Sequence, residues 1–217
     1  TASIASDFWS QIRPNISLII VDELKPGLTN ARLKGIESSN YNYLIFCDDD
    51  NYLFSNYLVE LEVIFSEYDC DIVGGFGIPL SQNDLPPWFF EFGQSAFAVG
   101  DYGRLVGFGF LTYGAGMSIK RKVALKFLEL KGDLLLNDRT RYSLSSGGDS
   151  EFCYIVGLDK IFYSNNLKFY HDLGLRVDSK YFIKINKSFG EAEALLFYYK
   201  NYKLSDYKTL LSLVFEI

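Results

Sequence analysis

Tyr43-Leu44-Ile45-Phe46-Cys47-Asp48-Asp49-Asp50-Asn51 is the stretch that decides how this chain is read. Apolar and aromatic residues follow one another without a polar break, the pattern of a strand buried on both faces of a parallel sheet. Three carboxylates come immediately after it. Ligands of open α/β sheets bind beyond the carboxyl ends of the strands, so these acids stand where a site is expected. Adjacent carboxylates repel one another unless a cation neutralises them. Hard cations such as Mg2+ and Mn2+ bridge one or two carboxylates to substrate phosphates. A solvated turn with helix-capping acids is the plainer alternative; placement at a buried strand end favours the cation.

Working outward, Ile16 to Val21 is a second continuous apolar run and reads as a buried parallel strand ending at Asp22. Pro26-Gly27 makes a turn, and Thr29 is the expected N-cap of a helix carrying Ala31, Arg32, Leu33 and Ile36. Residues before Pro14 read as the end of a helix. Downstream, helical spacing over 55–68 is followed by a third strand over 71–76. This alternation predicts crossover connections and a mostly parallel sheet flanked by helices. From Gly77 to Ala115 the chain is rich in Gly, Pro and aromatics and reads as a long, partly helical excursion. A short strand at 117–119, helices from Arg121 and from Gly148 to Val156, short strands at 161–163 and 167–170 forming a smaller mixed sheet, and a helical tail beyond Ser179 complete the pattern. One domain is expected, in three parts: 1–76, 77–178 and a helical tail (179–217).

The net charge of −6 argues against nucleic acid as a partner, because phosphate backbones call for clustered Lys and Arg. Three cysteines without CxxC spacing suggest neither a disulfide frame nor structural zinc, and fit a cytoplasmic protein. The apolar runs are too short to cross a bilayer. Aromatics reach 17%, which suits sugar platforms but is first of all core packing.

Two further motifs carry chemistry. In Ser145-Ser146-Gly147-Gly148-Asp149-Ser150-Glu151-Phe152, small residues allow close backbone approach and an acid sits at a helix start, where it could equally serve as a cap. His171, the sole histidine, ends an apolar strand; imidazole is a common metal ligand, although a lone histidine is more often structural. Asp50, Asp149 and His171 each stand at an element end, which is how distant positions build one cleft.

Together with Asn30-Ala31-Arg32, Tyr113-Gly114-Ala115-Gly116-Met117 and Leu167-Lys168-Phe169-Tyr170-His171, these motifs occur in an order that resembles the family 2 glycosyltransferases of the GT-A fold. These are inverting enzymes that often build bacterial surface polysaccharides. The resemblance covers roughly 16–171. It implies a Rossmann-like sheet and roles for particular residues: Asp22 at the donor nucleoside, Arg32 near the nucleotide, and Asp48 and Asp50 as the DXD pair with Asp49 beside them. Asp50 and His171 would hold Mn2+ or Mg2+, and Asp149 would be the general base. Trp88 and Glu151 fall on the acceptor side, with plain packing as the alternative for Trp88. Many relatives carry Glu-Asp where this chain has Gly148-Asp149, so an acidic neighbour of the base is missing.

The implied reaction moves a sugar, with UDP the expected carrier, to a saccharide or lipid-linked acceptor, in the cytoplasm or at the inner face of the cell membrane, to which the protein could bind peripherally. The resemblance also implies a further strand before Ile16. A chain without it is expected to show an open sheet edge beside the donor pocket, weak donor binding and a tendency to form homodimers. The rival readings are a sugar nucleotidyltransferase, which would show a Gly-rich basic phosphate loop not found here, and a catalytically silent carbohydrate-binding or scaffold domain.

Overall fold

The computed structural model describes residues 2–12, 15–101, 105–136, 138 and 146–201. Pro14, Ser145 and the part of the expected helical tail past Asn201 lie outside them.

Helix α1 (Ala2–Ile12) buries none of its residues. The run Ile16 to Val21 forms no strand: its residues are exposed, Ile16 and Ile19 by 63% and 64%. The expected buried strand is therefore absent. A strand needs a hydrogen-bonded neighbour, and no described strand pairs with this run, so its apolar side chains stay in water. Helix α2 (Leu28–Ser38) starts on Gly27, whose φ of 129° suits glycine, and not on Thr29. The Thr29 hydroxyl instead donates to the carbonyl of Leu136, 3.0 Å away across the molecule.

Strand β1 (Tyr43–Ile45) precedes the triple acid, and β2 (Asn51–Leu53) follows it. Then come α3 (Tyr57–Glu67) and the long β3 (Ile72–Leu80). The excursion holds a π-helical turn (Phe89–Gly93), a 3-10 turn (Gln94–Phe97) and the short β4 (Gly107–Phe108). Strand β5 (Ser118–Lys120), α4 (Arg121–Glu129), α5 (Gly148–Val156), β6 (Ile161–Asp172) and α6 (Ser179–Asn201) complete the described chain.

The strands form one sheet in the order β1-β5-β3-β6-β2, with β4 also on β6. Pairing is parallel between β3 and β6 and antiparallel in the other four contacts, so the sheet is mixed and not mostly parallel. With Ile16 to Val21 outside the sheet, β1 loses a parallel neighbour. The excursion returns β5 between β1 and β3 in the opposite sense. Nor is there a separate smaller sheet among the described residues. The two short strands expected around Ser164 are one continuous β6, which carries β2 and β4 on the main sheet. Strand β1 also differs from expectation. It is an edge strand, exposed to partly buried, with a partner on one side among the described strands.

The core lies between this sheet and its helices. Ile72, Ile119 and Ile161 pack with Leu33, Phe127 and Phe152, whose last two rings stack at 4.0 Å. A second cluster joins Val73 and Phe169 to Tyr57, Ile64 and Phe65 of α3. These apolar faces recur at helical spacing, which is why the local sequence foretold α3, α4 and α5 within a residue or two.

Candidate active site

The ends of β1, α2, α5 and β6 open on a cavity of about 1120 Å³. Among the residues singled out in the sequence, Arg32, Asp48, Asp49, Asp50, Asp149 and His171 line it. Asp22, Trp88 and Glu151 do not.

The acidic loop is a tight turn. Asn51 N–H donates to the Asp48 carbonyl (3.0 Å), and Asp48 N–H donates to the Asn51 side chain (3.3 Å). The antiparallel register of β2 on β6 sets Asn51 opposite His171. This brings the imidazole Nε2 to 3.5 Å from Asp50 Oδ1. Burial pushes the His171 pKa below its ordinary value against the pull of Asp50, so the imidazole is neutral at pH 7. The other Asp50 oxygen receives Arg176 Nη2 at 2.7 Å, and the same guanidinium also donates to the Asp172 carbonyl. Arg176 was not foreseen; nothing in its local sequence marks it.

The chemistry of this donor set decides what it could hold. Among the described residues no three His, Cys, Asp or Glu side chains stand together as a ready cage. Asp50 and His171 could contribute one carboxylate oxygen and one imidazole nitrogen, 3.5 Å apart, to a cation that completes its shell with phosphate and water, with Arg176 as the competing partner of the carboxylate.

Also on the cavity lining, Gly147 at φ 111° turns the chain into α5 and presents Asp149. Its Oδ2 accepts from Gly114 N–H (2.7 Å) and its Oδ1 from Ser150 N–H (2.8 Å). A Cβ at Gly114 would lie 2.0 Å from Arg32 Nη2, so a larger residue there would displace the buried guanidinium. The Arg32 guanidinium, buried against this glycine, reaches Asp138 at 3.3 Å. Asp138, also on the cavity wall, accepts from Gly148 N–H at 2.7 Å. Burial and the nearby charge of Asp149 push its carboxyl up to about 6, opposed by Arg32.

Asp138 is the residue that sequence reasoning missed. A Cβ on Gly148 would sit 2.4 Å from Asp138 Oδ2 and 2.7 Å from Thr29 Oγ1. The space beside the candidate base, where an acid was looked for in the sequence and glycine found, is thus filled by an acid from another loop. The glycine was the one available signal.

Glu151 is fully buried and faces away from the cavity. It accepts from the N–H groups of Leu135 and Leu136 (2.7 and 3.0 Å) and from Tyr199 hydroxyl (2.7 Å). Trp88 is half-buried among Phe89, Phe92, Phe97 and Phe182. The excursion reaches the cavity through Ser95 to Ala98 and Gly109 to Ala115 instead. Asp22 is exposed at the end of the unpaired run.

No protein-family model matches the sequence, and no curated protein matches it. Among solved structures, the crystal structure of S. aureus TarS 1-349 is similar, at 14% identity and a TM-score of 0.50, over 79% of this chain and 47% of that one. The chain thus spans about half the length of the TarS structure. TarS 1-349 in complex with UDP-GlcNAc (14% identity, TM-score 0.47, 79% and 45% covered) and a mycobacterial protein (15%, 0.36, 70% and 44%) are more distant in shape. At such identities the likeness concerns the fold alone: a mixed α/β sheet flanked by helices, with a long helix, α6, after the last strand.

Proposed function

We propose that this chain is the catalytic part of an inverting glycosyltransferase that takes a sugar from a nucleotide diphosphate donor, with Mn2+ or Mg2+, and passes it to a saccharide or lipid-linked acceptor. One observation carries the reading. Asp48 to Asp50 and Asp149, some hundred positions apart in sequence, face one cavity of about 1120 Å³. Pockets for a single drug-sized ligand run to roughly 1,000 Å³, so the cavity is large enough for a nucleotide-sugar donor. UDP as the carrier follows from the sequence resemblance.

Asp50 and His171 would hold the cation, which when bound supplies Lewis-acid stabilisation of the departing diphosphate. Asp48 and Asp49 line the donor side. The Arg176 guanidinium, oriented by Asp50 and the Asp172 carbonyl, adds a second positive charge facing the same space. Asp149 is held by two backbone N–H groups and keeps free lone pairs toward the cavity. It accepts the proton of the acceptor hydroxyl as that oxygen bonds to the anomeric carbon. The bond from that carbon to the diphosphate oxygen breaks, its electron pair leaves with the diphosphate, and the configuration inverts. Arg32, tied to Asp138, packs over Gly114 and so fixes the loop that orients Asp149.

Calorimetry with UDP and Mn2+ tests this. Binding should require Mn2+ and be abolished in Asp50→Asn, with the melting temperature unchanged. Binding that ignores both Mn2+ and the substitution would overturn the cation-diphosphate assignment. Mn2+-dependent hydrolysis of a donor sugar separates an enzyme from a silent scaffold.

A further inference from the structure

Three acids meet at the start of α5: Asp149 and Glu151 on the helix and Asp138 beside it. The charges of Asp149 and Glu151 bear on Asp138, and the charge opposing them is that of Arg32. Glu151 is already engaged, accepting from Leu135 N–H, Leu136 N–H and the Tyr199 hydroxyl. The guanidinium is therefore left to Asp138 or Asp149, and all three of these side chains line the cavity.

Asp138 holds it. Arg32 Nη1 stands 3.3 Å from Asp138 Oδ2, with both side chains buried. Asp149 forms no ion pair among the described residues, and its partners are the N–H groups of Gly114 and Ser150. The guanidinium has donors to spare: of its five N–H groups, the one on buried Nε has no hydrogen-bond partner. Nη2 packs on Gly114, the residue whose N–H holds Asp149 Oδ2. One glycine thus separates the spare donors from the candidate base. Asp138 is fixed in turn by Gly148 N–H at 2.7 Å, on left-handed backbone of φ 51°, which aspartate tolerates better than most side chains.

We propose that Asp138 is a positioning residue that keeps Arg32 off Asp149, so that the base meets the acceptor hydroxyl without a resident cation. A carboxylate paired with arginine is a poorer base, because the pair stabilises its ionised form and occupies the lone pairs that would take the proton. The use of this arrangement in proton transfer rests on the glycosyltransferase reading; the choice of partner by Arg32 does not. Acid should undo it. Burial and the charge of Asp149 raise the Asp138 carboxyl to about 6. Once Asp138 takes a proton, its hold on Arg32 weakens and the guanidinium is left to Asp149. Asp138→Asn imposes that state at any pH.

The test is carbon NMR of the full chain labelled at the aspartate carboxyls, with the Asp149 signal assigned by Asp149→Asn. Its titration midpoint should fall by roughly 1–3 units in Asp138→Asn, the effect of an arginine beside an aspartate, and return in the double variant Asp138→Asn, Arg32→Gln. An unmoved or higher midpoint in Asp138→Asn overturns the proposal, and so does a fall that persists in the double variant. Should the single variant unfold around an unpaired guanidinium, the native chain decides. Its Asp149 signal should show a step at the Asp138 midpoint of about 6, and no step there overturns the proposal. Turnover, taken as Mn2+-dependent hydrolysis of UDP-hexoses, gives a second readout. It should drop roughly 10- to 100-fold in Asp138→Asn and recover in the double variant, while UDP affinity in calorimetry moves far less. A UDP affinity that falls as far as turnover would put Asp138 in donor binding instead and overturn the proposal. The expected NMR shifts in a native chain that neither binds UDP nor hydrolyses any UDP-hexose would count against the transferase alone.

Discussion

At the scale of single residues, the site is two carboxylates in opposite circumstances. Asp149 faces the cavity with its orientation fixed by Gly114 and Ser150 N–H. Asp149→Asn keeps an acceptor oxygen but removes the basic lone pair, so turnover with a suitable acceptor should fall by about 10²–10⁴ while donor affinity is kept. Near-normal turnover in single-turnover assays would remove Asp149 from the reaction. Asp138 is buried beside it, 4% exposed, with its carboxyl raised to about 6. Unfolded, an aspartate titrates near ~3.9. Between those values the native state binds more protons than the unfolded chain, so stability should fall as pH rises from about 4 to about 6 and level off above that. The slope is on the order of 1.4 kcal/mol for each unit separating the two values. Denaturant midpoints across this range should decline more steeply for the native chain than for Asp138→Asn. Parallel curves would mean that Asp138 is not charged at a cost in the folded state.

At the scale of elements, Glu151 ties three segments together: α5 that bears it, the turn at Leu135 and Leu136, and α6 through Tyr199. The family resemblance put this acid, two residues beyond the candidate base, on the acceptor side. On a helix, however, a step of two turns a side chain by roughly 200°, so Asp149 and Glu151 point to different faces. Burial raises the Glu151 pKa, and its bonds to Leu135 N–H, Tyr199 hydroxyl and Leu136 N–H oppose that rise. Glu151→Gln would turn an amide N–H₂ toward groups that themselves donate. We expect a loss of about 2–4 kcal/mol, read as a melting temperature lower by roughly 5–10 °C. An unchanged melting temperature would show that the clamp does not hold the elements together.

At the scale of the molecule, protection should follow the sheet. Strands β3 and β6 share a long parallel contact through Ile72, Val73, Ile161 and Phe162, all buried. The run Ile16 to Val21 has neither burial nor a strand partner among the described residues. Amide hydrogen exchange should therefore be slowest over 72–77 and 161–169, and close to unprotected over 16–21. Slow exchange over 16–21 would place that run in a sheet after all.

The sequence by itself determined what depends on near neighbours. Helical spacing set α4 and α5, apolar continuity followed by acids set the turn after β1, and small residues around 147–148 announced the close approach at Asp149. Tertiary structure decided whatever needs a distant partner. Ile16 to Val21 has the composition of a buried strand, yet a strand exists through the hydrogen bonds of its neighbour, which composition does not encode. The same holds for side chains that close the site. Arg32 meets Asp138 across 106 positions and Arg176 meets Asp50 across 126. Such pairs arise because packing of the sheet brings distant segments together, and a charge carries no local mark of the charge it will face.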